Sequence, residues 1–169
     1  MAAEHADPEK IMDVIAFGGG AAGVGVSLIL KDLGIRRFGI LEKHDLGASF
    51  RRWPKEMRFI TPVFFANAFG LSDLNAVNTA TSPADFNGNE HPWGQDYAND
   101  LTAVAAHYKL PLVTRCEVQE TSKRAGGFQP NMNCALCGCR KAISMRISPA
   151  AGSPGQPRAG PWSFASGAI

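Results

Sequence analysis

Acidic residues are missing from the last 47 positions of this 169-residue chain. Residues 123–169 carry six Lys+Arg and no Asp or Glu, a net +6, whereas residues 1–122 carry all 15 acids against 11 bases, a net −4. The whole sums to only +2, too weak a surplus of one sign to recruit nucleic acid through phosphates. Cysteine is scarce: four in the chain, three of them beyond residue 130, which excludes a disulfide-built scaffold. Histidine is scarce too, and none follows His107, so the late cysteines lack the fourth ligand that zinc wants and no metal is expected. No apolar run approaches the roughly eighteen residues of a membrane-spanning helix. The opening Met1-Ala2-Ala3-Glu4-His5-Ala6-Asp7 is acidic and does not read as a signal peptide, so a cytoplasmic location is the expectation. At 45% hydrophobic residues the chain can fill a core, which argues against wholesale disorder.

What is present divides at the same seam. Residues 1–10 read as a loose end, 11–122 as one folded domain, and 123–169 as an irregular tail. Within the domain, Ile11 to Phe17 is a short apolar run bounded by glycine, the pattern of a buried parallel strand. Val24 to Leu33 is helical and stops at Gly34. Arg37 to Leu41 is a second strand that ends at Glu42. Strand, helix and strand within about thirty residues make a βαβ unit. Gly94 to His107 predicts another helix, because Tyr97, Leu101, Val104, Ala105 and Tyr108 share one face. Leu110 to Val118 predicts a third strand with Pro111 near its start. The fold expected is α/β: a partial Rossmann-type domain with three parallel strands. Residues 43–93, without regular pattern, should cover the carboxyl ends of those strands.

The first turn, Gly18-Gly19-Gly20-Ala21-Ala22-Gly23, has G-x-G-x-x-G spacing. Gly18 permits a tight exit from the strand, Gly20 lets a pyrophosphate reach the backbone, and Gly23 lets helix and sheet close up. The N–H groups of the helix start then face the phosphates. Glu42 stands where an acid accepts both ribose hydroxyls, which suits FAD or NAD and disfavours a 2′-phosphate. The competing reading is a glycine-rich βα turn with no ligand. Arg51 and Arg52 beside Phe50 and Trp53 suit a phosphate or a flat ring. Phe64, Phe65 and Phe69 read as packing beneath the loop, and Cys116 as a small buried hydrophobe without a partner.

Gly18–Gly23, Glu42-Lys43, Gly47-x-Ser49-Phe50-Arg51-x-Trp53, and Glu90-His91-Pro92 with Tyr97 resemble the amino-terminal part of FAD-dependent oxidoreductases. The group is the flavin-containing monooxygenase-like and pyridine-nucleotide-disulfide-oxidoreductase-like proteins with two dinucleotide-binding domains. The resemblance spans roughly residues 11–120. It implies that Gly18, Gly20, Ala21, Ala22 and Gly23 cradle the FAD pyrophosphate, and that Glu42 holds the adenosine ribose with Lys43 beside it. Ser49, Phe50 and Arg51 would approach the pyrophosphate and flavin, the backbone of Val118 would meet the adenine, and Asn67 is a weaker match to a flavin-side asparagine. No catalytic residue is assigned.

The departures shape the functional expectation. No second glycine-rich turn for NADPH or NADH follows Gly23, and the later strands of the FAD sheet are missing. The expectation is the FAD-binding part of an NAD(P)H-dependent flavoprotein oxidoreductase or monooxygenase, incomplete as this chain, with its small-molecule substrate unread. The sheet edge left open would then call for a partner chain or an oligomer. The tail suggests a change of reading frame near Phe128, although Lys123 to Phe128 still fits a hairpin. Cys134-Ala135-Leu136-Cys137 supplies the alternative of a thioredoxin-reductase-like redox pair. A non-catalytic nucleotide-binding fragment is the third reading.

Overall fold

A computed structural model describes residues 12–61, 74–124, 127–134 and 145–146. Strands β1 (Val14–Phe17), β2 (Phe38–Leu41) and β3 (Leu112–Val113) form a parallel sheet in the order β1-β2-β3. The register sets Val14 opposite Phe38, Phe17 opposite Leu41 and Ile40 opposite Leu112. Parallel neighbours need crossovers, which are α1 (Ala21–Asp32) and α4 (Gly94–His107). Side chains alternate across a strand, so the adjacent Ile40 and Leu41 serve opposite faces. Ile40, Phe38, Val14 and Ala16 pack with Val24 and Leu28 of α1 and with Tyr97, Leu101 and Val104 of α4. Leu41, Ile15 and Val113 pack on the other face against Cys116, Val118, Met132 and Cys134.

That second layer is antiparallel. Strand β4 (Cys116–Arg124) pairs with β5 (Gly127–Cys134), which pairs with β6 (Met145–Arg146). The single strand expected over 110–118 is therefore two strands in two sheets. The break lies at Arg115, whose φ of +53° turns the chain. The conformation is held by backbone bonds, Arg115 N–H to His44 O at 3.0 Å and Cys116 N–H to Glu42 O at 2.8 Å. The hairpin expected at Lys123 to Phe128 is present, and the pairing runs on to Cys134. A domain boundary at 122/123 would thus cut through β4.

The helices follow local chemistry. The α4 bounds match those read from its apolar face, and Tyr97, Leu101, Val104 and Ala105 are buried. Helix α1 begins three residues before Val24, at alanines that favour helix. It ends in a Schellman motif: Ile35 N–H bonds Leu30 O, Gly34 N–H bonds Lys31 O, and Gly34 takes φ +76°. Among the described residues of the long connection from 43 to 93 are two short helices, α2 (Ala48–Arg51) and α3 (Pro83–Asn87). Ser82 caps α3 by accepting the Ala84 amide. Asn67, Phe64, Phe65 and Phe69 lie outside the described residues. Among the described residues no helix is long and apolar enough to cross a membrane.

The connection is anchored on α4 by an aromatic cluster. Phe50 and Phe59 lie 4.7 and 4.6 Å from the Tyr97 ring, and Trp53 lies 5.0 Å from Phe59. Tyr97 Oη donates to Asn75 O at 2.8 Å, so its buried hydroxyl is satisfied. Tyr97→Phe keeps the packing and removes this bond. The expected cost is about 1 kcal/mol, read as a lower urea midpoint at unchanged m-value.

Candidate functional site

The glycine turn lies at the carboxyl end of β1, where ligands of open α/β sheets gather. Gly18 has φ +102°, a conformation costly for any side chain, and its N–H bonds Leu41 O at 2.8 Å. Gly20 is the N-cap of α1 and supplies no side-chain cap to the amides behind it. The first-turn amides of Ala21, Ala22 and Gly23 are therefore open to an anion. A Cβ at Gly20 would have no heavy atom within 4 Å. The space over the backbone is free at the point where the sequence places a pyrophosphate. At Gly23 the opposite holds: a Cβ there would lie 1.9 Å from Gly18 O, so helix and turn touch.

Glu42 closes the turn from the end of β2. Its Oε2 accepts the Gly19 N–H at 2.5 Å, and its Oε1 accepts the His44 N–H at 2.7 Å. Gly19 is a site residue that the spacing rule hides as one of its variable positions. An added Cβ would sit 3.2 Å from Glu42 Cβ, so the small residue lets the carboxylate lie on the turn. Gly47 is also hidden. Its N–H bonds Gly19 O at 2.9 Å, its φ is +72°, and its missing Cβ leaves room for Ala98. Gly47 thereby docks α2 onto both the turn and α4.

Beyond Glu42 opens a cavity of about 360 Å³ lined by Lys43, His44, Asp45, Arg115, Glu117 and Asn133. Lys43 Nζ pairs with Glu117 Oε1 at 2.6 Å across its mouth. Both side chains are about half exposed, so the pair contributes little to stability. Lys43→Ala should shift the urea unfolding free energy by less than about 1 kcal/mol, which marks Lys43 as a residue of the cavity and not of the core.

The other residues singled out by the sequence divide. Ser49 is exposed at the start of α2, beside Gly47. The Phe50 ring turns inward to the aromatic cluster. The Arg51 guanidinium bonds α4, at 2.9 Å from Asn99 Oδ1 and 3.2 Å from Thr102 Oγ1. The side chains of these two hold α2 on α4. Val118 lies on β4 and not on the parallel sheet, and its side chain faces the apolar cluster. Arg58 stacks over the Trp93 ring at 3.7 Å, a contact that no sequence pattern announces. Cys116 has a partner after all. It lies opposite Cys134 in the β4–β5 ladder, and both thiols are free and buried. Burial, and then the neighbouring Cys134, push the Cys116 thiol up to about 11.

Comparison with known proteins bears on the same elements. Residues 15–143 match the family model described as pyridine nucleotide-disulphide oxidoreductase. Among solved structures, the fold is similar to bacillithiol disulfide reductase Bdr from Staphylococcus aureus, at 19% identity and TM-score 0.61 over 73% of this chain and 34% of that one. It is similar to a flavin-containing monooxygenase from Stenotrophomonas maltophilia, at 18% identity and TM-score 0.56 over the same shares of 73% and 34%. It is also similar to an ornithine N-hydroxylase from Kutzneria sp. 744, in complex with reduced FAD, NADP+ and L-ornithine, at 11% identity and TM-score 0.59 over 80% of this chain and 36% of that one. The chain spans about a third of the length of these structures. The family match runs past Phe128, the point at which the sequence suggests a change of frame. With more than half of its residues inside that family model, and with a βαβ unit whose glycine turn meets an acid at the end of the second strand, the chain belongs to the pyridine nucleotide-disulphide oxidoreductase family.

Proposed function

We propose that this chain binds FAD and is the FAD-binding part of an NAD(P)H-dependent flavoprotein oxidoreductase or monooxygenase. One observation carries the reading: the uncapped start of α1 opens onto free space at Gly20, and the Glu42 carboxylate lies on the same turn. The open cradle fits a pyrophosphate, because amide N–H groups and a positive helix end favour phosphate oxygens. Ala21, Ala22 and Gly23 would donate to it. Glu42 would accept from the ribose hydroxyls, and the cavity bounded by Lys43 and Glu117 would take the adenine side, close to the backbone of Val118. Ser49 would reach the pyrophosphate, with Phe50 and Arg51 fixing the turn that presents it. When bound, FAD would supply hydride acceptance from NAD(P)H and passage of electrons to a small-molecule acceptor or oxygen. The residues named here bind and orient; none breaks a bond.

Titration of the purified chain with FAD tests this. Saturable quenching of flavin fluorescence is expected, with ADP competing and FMN binding far more weakly. FMN equal to FAD would remove the adenosine side from the assignment. Tight ADP binding without any advantage for FAD would instead favour a nucleotide-binding fragment that takes no flavin. The thioredoxin-reductase-like reading has less support, since Cys134 is buried opposite Cys116, and Cys137 lies outside the described residues. A partner chain or second copy along β1 is also proposed: among the described residues that strand pairs only with β2, and Phe17 at its end is 53% exposed.

A further inference from the structure

We propose that Cys116 and Cys134 form a reversible cross-strand disulfide, closed by thiol–disulfide exchange with a small-molecule disulfide. The two residues stand opposite each other in the antiparallel ladder, at the first position of β4 and the last of β5. The Cys116 amide donates away from β5, to Glu42 O at 2.8 Å. That direction marks a non-hydrogen-bonded pair, the kind whose Cα atoms approach to about 4.5 Å. A disulfide spans Cα separations of about 4.4–6.8 Å, a range that includes the separation characteristic of such pairs. Both thiols are free, and they share one apolar cluster with Leu41 and Met132. Cys116 Sγ also lies 3.6 Å from Met132 Sδ, so the cluster gathers sulfur.

The order of events follows from exposure and charge. Cys134 ends its strand and is 6% exposed, against 1% for Cys116, so opening of the strand end presents Cys134 first. Its thiolate attacks one sulfur of R–S–S–R and expels RS⁻, which leaves as RSH with the Cys134 proton. Cys116 Sγ, protonated at neutral pH because burial raises its pKa to about 11, then gives up its proton and attacks Cys134 Sγ. A second RSH leaves. Two cysteine thiols and one small disulfide become one protein disulfide and two small thiols, so atoms and electrons balance. The bond would tie together the two strands that carry Glu117 and Asn133, two residues of the cavity wall.

The test is peptide mapping of the intact chain. The protein is incubated with oxidised glutathione, quenched, alkylated and cut with trypsin. Cleavage after Arg115, Lys123 and Arg124 puts the two cysteines on separate peptides. The expected product is residues 116–123 joined to the peptide that holds Cys134, two hydrogens lighter than the pair and released by dithiothreitol. The same link should form in the Cys137→Ser/Cys139→Ser variant. Cys134 joined instead to Cys137 or Cys139 overturns the proposal. So does Cys116 recovered alkylated while Cys134 carries glutathione, or a link formed equally well in urea, where no ladder exists.

Discussion

Gly23→Ala is expected to destabilise the protein by about 3 kcal/mol and to lower FAD affinity more than a hundredfold. The added methyl would lie 1.9 Å from Gly18 O, far inside contact distance, so helix or turn must move by more than an ångström. Neither can move cheaply. Gly18 is pinned by its N–H bond to Leu41 O, and the same methyl would be held by Ile40 at 4.0 Å on the sheet side. Alanine favours the helix over glycine by about 1 kcal/mol, which opposes the clash without matching it. Gly25→Ala is the control on the same helix. There the new Cβ meets Val77 O at 3.6 Å, an ordinary contact, and the helix preference should leave stability unchanged or slightly raised. Urea unfolding of both variants, with FAD titration below the midpoint, reads the difference. Equal stability of Gly23→Ala and wild type would mean that α1 does not close on the turn as described.

The parts of this architecture that the sequence discloses are those with a one-dimensional period. Helix α4 is readable to its last residue because Tyr97, Leu101 and Val104 repeat on one face over two turns. The strand–turn–helix opening is readable because glycine spacing and apolar run coincide. Where the fold depends on one backbone angle, the pattern is silent. Leu110 to Val118 reads as one strand, and nothing in it announces that Arg115, a non-glycine residue, takes a left-handed conformation. Tertiary partners hold that angle, namely the carbonyls of His44 and Glu42. Phe50 and Arg51 misdirect for a related reason. Aromatic and cationic residues beside a glycine suit a ligand, but equally they suit the underside of a short helix, and Tyr97, Asn99 and Thr102 lie 46 or more residues away to receive them. One missed signal was present. Pro130, Met132 and Cys134 are buried and Asn131 and Asn133 exposed, a period-two alternation that continues the hairpin past Gln129. The Cys116–Cys134 pairing is not readable in this way, because a bulge at Gln119 shifts the register between them.

Glu42→Gln is expected to weaken FAD binding by about ten- to a hundredfold while leaving FMN binding unchanged. An ionised carboxylate has about four acceptor positions. In the free protein one on each oxygen is taken, by the Gly19 and His44 amides, which leaves one on each for the two ribose hydroxyls. The glutamine amide nitrogen can accept nothing, so one half of that arrangement becomes a donor facing a donor. Hydrogen bonds to a charged group are worth about 1.5–3 kcal/mol, which corresponds to the stated range of affinity. The same substitution also strands the Gly19 or the His44 amide, and some loss of stability must accompany it. ADP separates the two effects. If Glu42 acts on the nucleotide, ADP and FAD affinities fall by the same factor at a temperature where the variant is fully folded, and Cys134→Ser lowers neither. If Glu42 only props the turn, FMN binding falls along with them. Unchanged ADP and FAD affinities in folded Glu42→Gln would take the ribose away from Glu42, and with it the reason for placing an adenosine beyond the end of β2.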